Sequence, residues 1–154
     1  MSLADLIAQS SILHALKASS KKQVLQELAA CAAEEVGLSE REIFDVILQR
    51  ERLGSTGVGN GIAIPHGKLP KLDRILCFCA KLETAVDFEA LDDQPVDLIF
   101  LLLAPEDAGA DHLKALSRIA RVLRDSDKVE KIRGAQSDSA IYALLTQTSA
   151  SNAA

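Results

Sequence analysis

The sequence predicts an α/β domain in which helices cover both faces of a mixed sheet. Capped helical periodicity fills residues 20–54 and returns after residue 109, while the middle of the chain holds runs rich in strand formers. The runs between 74 and 104 follow one another with no long helix between them. That predicts antiparallel pairing there, and hence a mixed sheet under helical layers.

The elements follow in order. In "SKKQVLQELAACAAEEVG" (20–37), Ser20 can cap a helix, and Val24, Leu25, Leu28, Cys31 and Ala32 share a face. Gly37 is its stop. In "LSEREIFDVILQRERLG" (38–54), Ser39 and Glu42 fit a capping box. Ile43, Val46, Ile47 and Leu53 supply the apolar face, and Gly54 closes the helix. The loop "STGVGN" leads to a strand-like "GIAIPH". "RILCFCAKL" (74–82) reads as a strand, "VDF" (86–88) as a short edge strand, and "PVDLIFLLLAPE" (95–106) as a strand buried on both faces. Three helical segments close the chain: "GADHLKALSRIARVLRD", "SDKVEKIRG" and "SDSAIYALLTQT". A frayed tail is expected from about residue 149. No internal repeat or linker divides the chain, so residues 1–154 read as one domain.

Composition narrows the function. With 48% apolar and 25% charged residues the chain is an ordinary globular one, and without tryptophan its core must be aliphatic. A net charge of −5 and the lack of a basic stripe argue against nucleic acid. No apolar run approaches the ~18 residues of a membrane span, so no membrane insertion is expected. The N-terminus, with Asp5 early, does not read as a secretory signal. Cys31, Cys77 and Cys79 lack metal-like spacing and suggest a reducing cytoplasm. Cys77 and Cys79 alternate on a strand, as small apolar groups facing one side. Asp92, Asp93 and Asp97 read as turn and solvent residues rather than a carboxylate dyad.

The chemistry concentrates in "GSTGVGNGIAIPHGKL" (54–69). The glycine loop follows a helix and enters a strand, and no Gly-Lys-Ser/Thr follows. It is therefore neither a phosphate-binding nucleotide loop nor a dinucleotide fingerprint. Either it is a flexible connection, or it admits the close approach of a large partner. His14 has no chemical group beside it and reads as half-packed. His112 falls in the first turn of a helix, with Asp111 as cap or first residue, where free N–H groups favour anions and lower a histidine pKa. His66 stands between Pro65, which fixes its own φ and extends Ile64, and Gly67, which frees the chain. A histidine there can ligate a metal, act as a base or act as a nucleophile. There is no HExxH, no Cys/His cluster and no Gly-x-Ser-x-Gly elbow. A nucleophilic imidazole, suited to carrying a phosphoryl group, remains.

The segment "ERLGSTGVGNGIAIPHGKL" (51–69) closely resembles the active-site segment of enzyme IIA domains of the fructose–mannitol class of the bacterial phosphotransferase system, most of all its nitrogen-related branch. The likeness runs on through "LDDQPVDLIFLLLAP" and "HLKALSRIARVLRD". It implies a mixed five-stranded sheet sandwiched by helices. It implies that His66 accepts the phosphoryl group on Nε2, that His112 assists from a neighbouring helix, and that Arg52 pairs with the phosphate. Ser55 and Thr56 fall in the loop that lines the site.

Phosphoryl transfer asks a protein mainly for positioning and charge stabilisation. No bound nucleotide, metal or other cofactor is required, because the implied donor is the phosphohistidine of the nitrogen branch's phosphocarrier protein. On this reading the glycines clear space for that donor. Two function classes follow. One is a regulatory phosphoryl carrier acting on protein targets, of which potassium transporters and sensor kinases are typical of the family. The other is a stand-alone sugar-specific IIA that hands phosphate to a separate IIB protein in fructose or mannitol uptake. The loop sequence, and the lack of a transporter or IIB domain in the chain, favour the first.

Overall fold

The computed structural model describes residues 2–147, so the tail expected to fray lies outside the described residues. Strand β1 (Ile12–Leu16) leads into helices α1 (Lys21–Val36) and α2 (Glu40–Leu53). Strands β2 (Gly57–Gly59), β3 (Ile62–Ala63) and β4 (His66–Leu69) follow, then the long β5 (Leu76–Val86) and β6 (Val96–Pro105). Helices α3 (Ala110–Arg124), α4 (Ser126–Gly134) and α5 (Asp138–Thr146) complete the order. No helix among the described residues is long and apolar enough to cross a membrane.

The sheet is mixed and runs β1-β5-β6-β3-β2, with β4 also on β6. β5 and β6 pair antiparallel, while β1 on β5 and β3 and β4 on β6 are parallel. There are six strands where the resemblance implied five. The extra one comes from the break of "GIAIPH" into β3 and β4, which keep one register on β6: Ala63 faces Ile99 and His66 faces Leu102. Pro65 has no N–H for the ladder, so pairing lapses at Ile64–Pro65 and resumes at His66. β1 was not among the predicted strands, and "VDF" is not an edge strand. Val86 ends β5, and Phe88 is fully buried beyond it.

Strand β6 divides the core. Leu98 to Leu103 are all fully buried. Ile99, Leu101 and Leu103 pack with Val24, Leu25, Leu28, Ile43 and Ile47 of α1 and α2. Leu98, Phe100 and Leu102 pack with Ala115, Ile119, Ile132 and Ile141 of α3, α4 and α5. Each such side chain removed from water stabilises the fold by about 1.5–3 kcal/mol. Cys77 and Cys79 lie in the second core, as expected of small apolar groups, and burial pushes the Cys77 thiol up to about 12.

The caps mostly match their signals. Ser20 accepts from the Gln23 N–H and Ser39 from the Glu42 N–H, and Gly37 ends α1 in the left-handed region. At α3 the cap is Gly109, so Asp111 is the second helical residue and His112 the third. Leu53, expected on the apolar face of α2, is 85% exposed.

Two glycines serve packing, where the sequence suggested chain freedom or docking space. A Cβ on Gly67 would lie 2.5 Å from Val46 Cγ1, so β4 presses directly on α2. A Cβ on Gly57 would lie 2.6 Å from Ala90 Cβ and 2.8 Å from its Cα. Gly57→Ala therefore overpacks a backbone contact and should cost about 1–3 kcal/mol. The check is a lowered urea midpoint at unchanged slope. An unchanged midpoint would show that the 88–91 segment yields freely. A thiol reagent should modify half-buried Cys31 in the native protein and reach Cys77 and Cys79 only on unfolding. Native-state labelling of either of the latter would contradict the burial argument.

Candidate functional site

His66 opens β4, where the ladder resumes after the proline. Its strand partner Leu102 packs on the α3 side, so the imidazole stands on that side of the sheet. Its Nδ1 lies 3.0 Å from the Ile64 carbonyl, which can only accept, so Nδ1 carries the proton. Arg50 Nε–H donates to Nε2 at 3.2 Å. An arginine can only donate, so Nε2 presents a lone pair. The two contacts specify one neutral tautomer with its nucleophilic nitrogen at the end of the ring.

Arg50 reaches the ring from the last turn of α2, where its Nη1 also donates to the Gly54 carbonyl at 2.9 Å. From α3 comes His112, with ring centroids 5.5 Å apart and planes tilted by 53°. His112 is only 8% exposed, and its Nδ1 is buried with no protein partner. Burial first, then His66 and Lys68, hold its pKa below the ordinary value. His112 is thus neutral around pH 7, with one polar atom unspent, a condition that costs stability and marks functional sites.

The structure brings His66 and His112 together as the sequence suggested, but it seats Arg50 at the ring. Arg52 is exposed, and no hydrogen bond or ion pair of its guanidinium occurs among the described residues. The hydroxyls of Ser55 and Thr56 are committed to protein partners. Ser55 donates to the Phe88 carbonyl at 2.8 Å and accepts from the Gly57 N–H at 3.0 Å. Thr56 is buried, and both its N–H (3.0 Å to Oε2) and its hydroxyl donate to the Glu51 carboxylate. Glu51, its side chain 2% exposed, pairs in turn with Lys21 Nζ at 3.1 Å. Sequence reasoning missed Glu51, although a signal existed. It continues the buried row Ile43, Ile47 at a spacing of four, so a charge falls where an apolar residue is due.

Other sequence-level candidates stay outside the site. His14 Nδ1 sits 2.6 Å from Asp138 Oδ1, tying β1 to α5. Asp97 pairs with Arg133 at 2.9 Å, and Asp92 accepts from the Asn60 and Gln94 N–H groups. Among the described residues no group of three or more His, Cys, Asp or Glu is placed to hold a metal ion.

Residues 5–148 match the family described as "Phosphoenolpyruvate-dependent sugar phosphotransferase system, EIIA 2". The chain belongs to that family. A nitrogen regulatory protein of Bradyrhizobium diazoefficiens is 61% identical over 94% of this chain and 95% of its own length. One from Escherichia coli K12 is 45% identical over 84% and 80% respectively. The crystal structure of nitrogen regulatory protein IIA-Ntr from Neisseria meningitidis superposes with a TM-score of 0.89 at 33% identity, covering 94% of this chain and 99% of that one. These enzyme IIA likenesses extend over both layers of helices and the sheet between them.

The depressed pKa of His112 makes stability depend on pH with a definite sign. The unfolded chain takes up a proton near the ordinary histidine value of about 6.5, whereas the folded protein resists it until lower pH. Stability should therefore decline as pH falls below about 6.5. His112→Gln should flatten that part of the profile, read as urea midpoints between pH 7.5 and 5.5. Parallel profiles for the two proteins would contradict the assignment.

Proposed function

We propose that this chain is a regulatory phosphoryl carrier that accepts a phosphoryl group on Nε2 of His66 from the phosphohistidine of a nitrogen-branch phosphocarrier protein. The observation that carries the reading is the pair of contacts on the His66 ring, Nδ1 to the Ile64 carbonyl and Nε2 to Arg50 Nε, which assign the proton to Nδ1 and the lone pair to Nε2. In the transfer, the bond from phosphorus to the donor nitrogen breaks as the bond to Nε2 forms, and the electron pair returns to the donor ring. A donor ring protonated on its other nitrogen leaves as neutral imidazole. His66 keeps its Nδ1 proton on the Ile64 carbonyl, and its ring takes up the positive charge until that proton is shed. Arg50 then exchanges its contact with Nε2 for a phosphoryl oxygen, a charge-assisted and stronger bond. His112 stays neutral and supplies a ring N–H to another oxygen, the kind of preorganised dipole that stabilises developing charge.

The names of the relatives described above support the nitrogen-regulatory branch over sugar uptake. Phosphorylation adds about −1.5 to −2 charge at pH 7 to a partly exposed ring. The segment around it is short strand and tight turn, with Gly57 and Gly67 packed against neighbours. The signal is therefore a local change of surface charge, felt by protein targets that dock over the site. Such targets, potassium transporters or sensor kinases among them, bind the unmodified form in preference.

The experiment is labelling by a phosphocarrier charged from phosphoenolpyruvate. Wild type should acquire one acid-labile, base-stable phosphoryl group, and folded His66→Ala none. Arg50→Ala and His112→Ala should slow labelling by about 10- to 1000-fold, the range for loss of one electrostatic contact. Arg52→Ala should stay within about twofold. Labelling of His66→Ala would overturn the assignment. Efficient onward transfer to a sugar-specific IIB protein would favour the uptake reading instead.

A further inference from the structure

The mechanism above uses Arg50 but leaves its neighbour Glu51 unexplained. A carboxylate with 2% of its side chain exposed is expensive to hold inside a protein, and a buried pair with Lys21 does not by itself stabilise more than an apolar pair would. The position of Glu51 in the hydrogen-bond pattern supplies a reason. Its two oxygens take the N–H and the hydroxyl of Thr56. The carbonyl of Thr56 accepts the Ile64 N–H at 3.0 Å, on the side of the strand that faces away from β6. The carbonyl of the same Ile64 holds Nδ1 of His66 at 3.0 Å. Lys21 anchors the far end, 3.1 Å from the carboxylate and 4.8 Å above the ring of Phe88, whose carbonyl holds Ser55.

We propose that Glu51 is a positioning residue for His66, acting through Thr56 and the Ile64 peptide to keep the imidazole proton on Nδ1. The tautomer of a histidine is set by the bond its other nitrogen makes. Here that bond ends on a peptide outside the β-ladder, so something else must fix the orientation of Ile64. The Thr56 carbonyl fixes its N–H, and Glu51 fixes Thr56. If the Ile64 carbonyl turns away, the Nε2–H tautomer becomes accessible, and in that form the nitrogen meant to attack phosphorus has no lone pair. The charged acceptor suits the task, because hydrogen bonds to a carboxylate are shorter and stronger than those to an amide. This inference rests on the reading of His66 as phosphoryl acceptor, but its first readout does not need phosphate.

The experiment uses the full chain with ¹⁵N-labelled histidine and two variants, Glu51→Gln and Thr56→Val. Wild type should show His66 as a single Nδ1–H tautomer by two-bond ¹⁵N–¹H correlation. Both variants should show a growing share of Nε2–H, larger in Glu51→Gln. The maximal rate of labelling by the charged phosphocarrier should fall about 10- to 100-fold in Glu51→Gln, the scale for a small misplacement of reacting atoms. The apparent KM for the phosphocarrier should stay within about threefold, since the docking surface is untouched. An unmoved tautomer in a folded variant overturns the proposal, whatever the rate does. If Glu51→Gln does not fold, Thr56→Val, which keeps shape and removes only the hydroxyl donor, decides alone. A wild-type protein that shows the tautomer but takes no phosphate would count against the proposed function and leave the tautomer comparison to judge this inference.

Discussion

Backbone alternation sets the arrangement of the site: the Gly61 and Pro65 carbonyls accept from β6 N–H groups, so Ile64 between them turns its N–H and carbonyl to the other side. The strand line beside β6 lapses after Ala63 and resumes at His66 in the same register. Within the lapse the backbone groups of Ile64 face away from β6. The N–H turns to Thr56, and the carbonyl takes the ring of the histidine two residues on. The Pro65 carbonyl still accepts from the Leu102 N–H at 2.9 Å, which keeps the interruption short. On the side that Ile64 faces, the Thr56 N–H is held by Glu51, which leaves the Ile64 carbonyl to the imidazole.

The electrostatics follow from where the three side chains originate. Arg50 comes from α2, His112 from the layer across the sheet, and His66 from β4 between them. The cation lies beside the His66 ring, while burial first, then His66 and Lys68, hold the pKa of the second histidine below its ordinary value. In a chain of net charge −5, this is a small region where negative charge is welcome. Under the proposed function, Arg50 draws on the lone pair of Nε2 before transfer and stabilises a phosphoryl oxygen afterwards. That balance suits a carrier, whose acceptor must take a group readily and also give it up.

The broad fold was legible because its signals are long. The runs of α1, α2, α3 and β6 give enough repeats of period or apolar continuity to identify them, and the caps at Ser20 and Ser39 fix where two helices begin. β1 was missed because five residues flanked by serines carry too little pattern. The closeness of His66 and His112 was legible through helix-start chemistry and the family resemblance. Which arginine lies against the His66 ring was not. Residues two apart on a helix lie about 200° around its axis, so Arg50 and Arg52 face nearly opposite ways, and adjacency to a motif does not choose between them. Val46, one turn before Arg50, packs against Gly67, and that contact would have settled the matter. Gly57 and Gly67 misled for a related reason, since a missing Cβ signals close packing as readily as freedom.

The alternation along β6 bears on how such a chain can diverge over evolutionary time. From Leu98 to Leu103 its odd-numbered residues belong to one half of the interior and its even-numbered ones to the other, and the two halves have no buried side chain in common. Each half can therefore drift by its own compensating exchanges, with no need for matched changes across the sheet. What both halves share is the β6 backbone, and β3 and β4 are registered on that backbone on either side of the proline. The candidate site thus inherits its geometry from the part of the interior that side-chain turnover leaves in place.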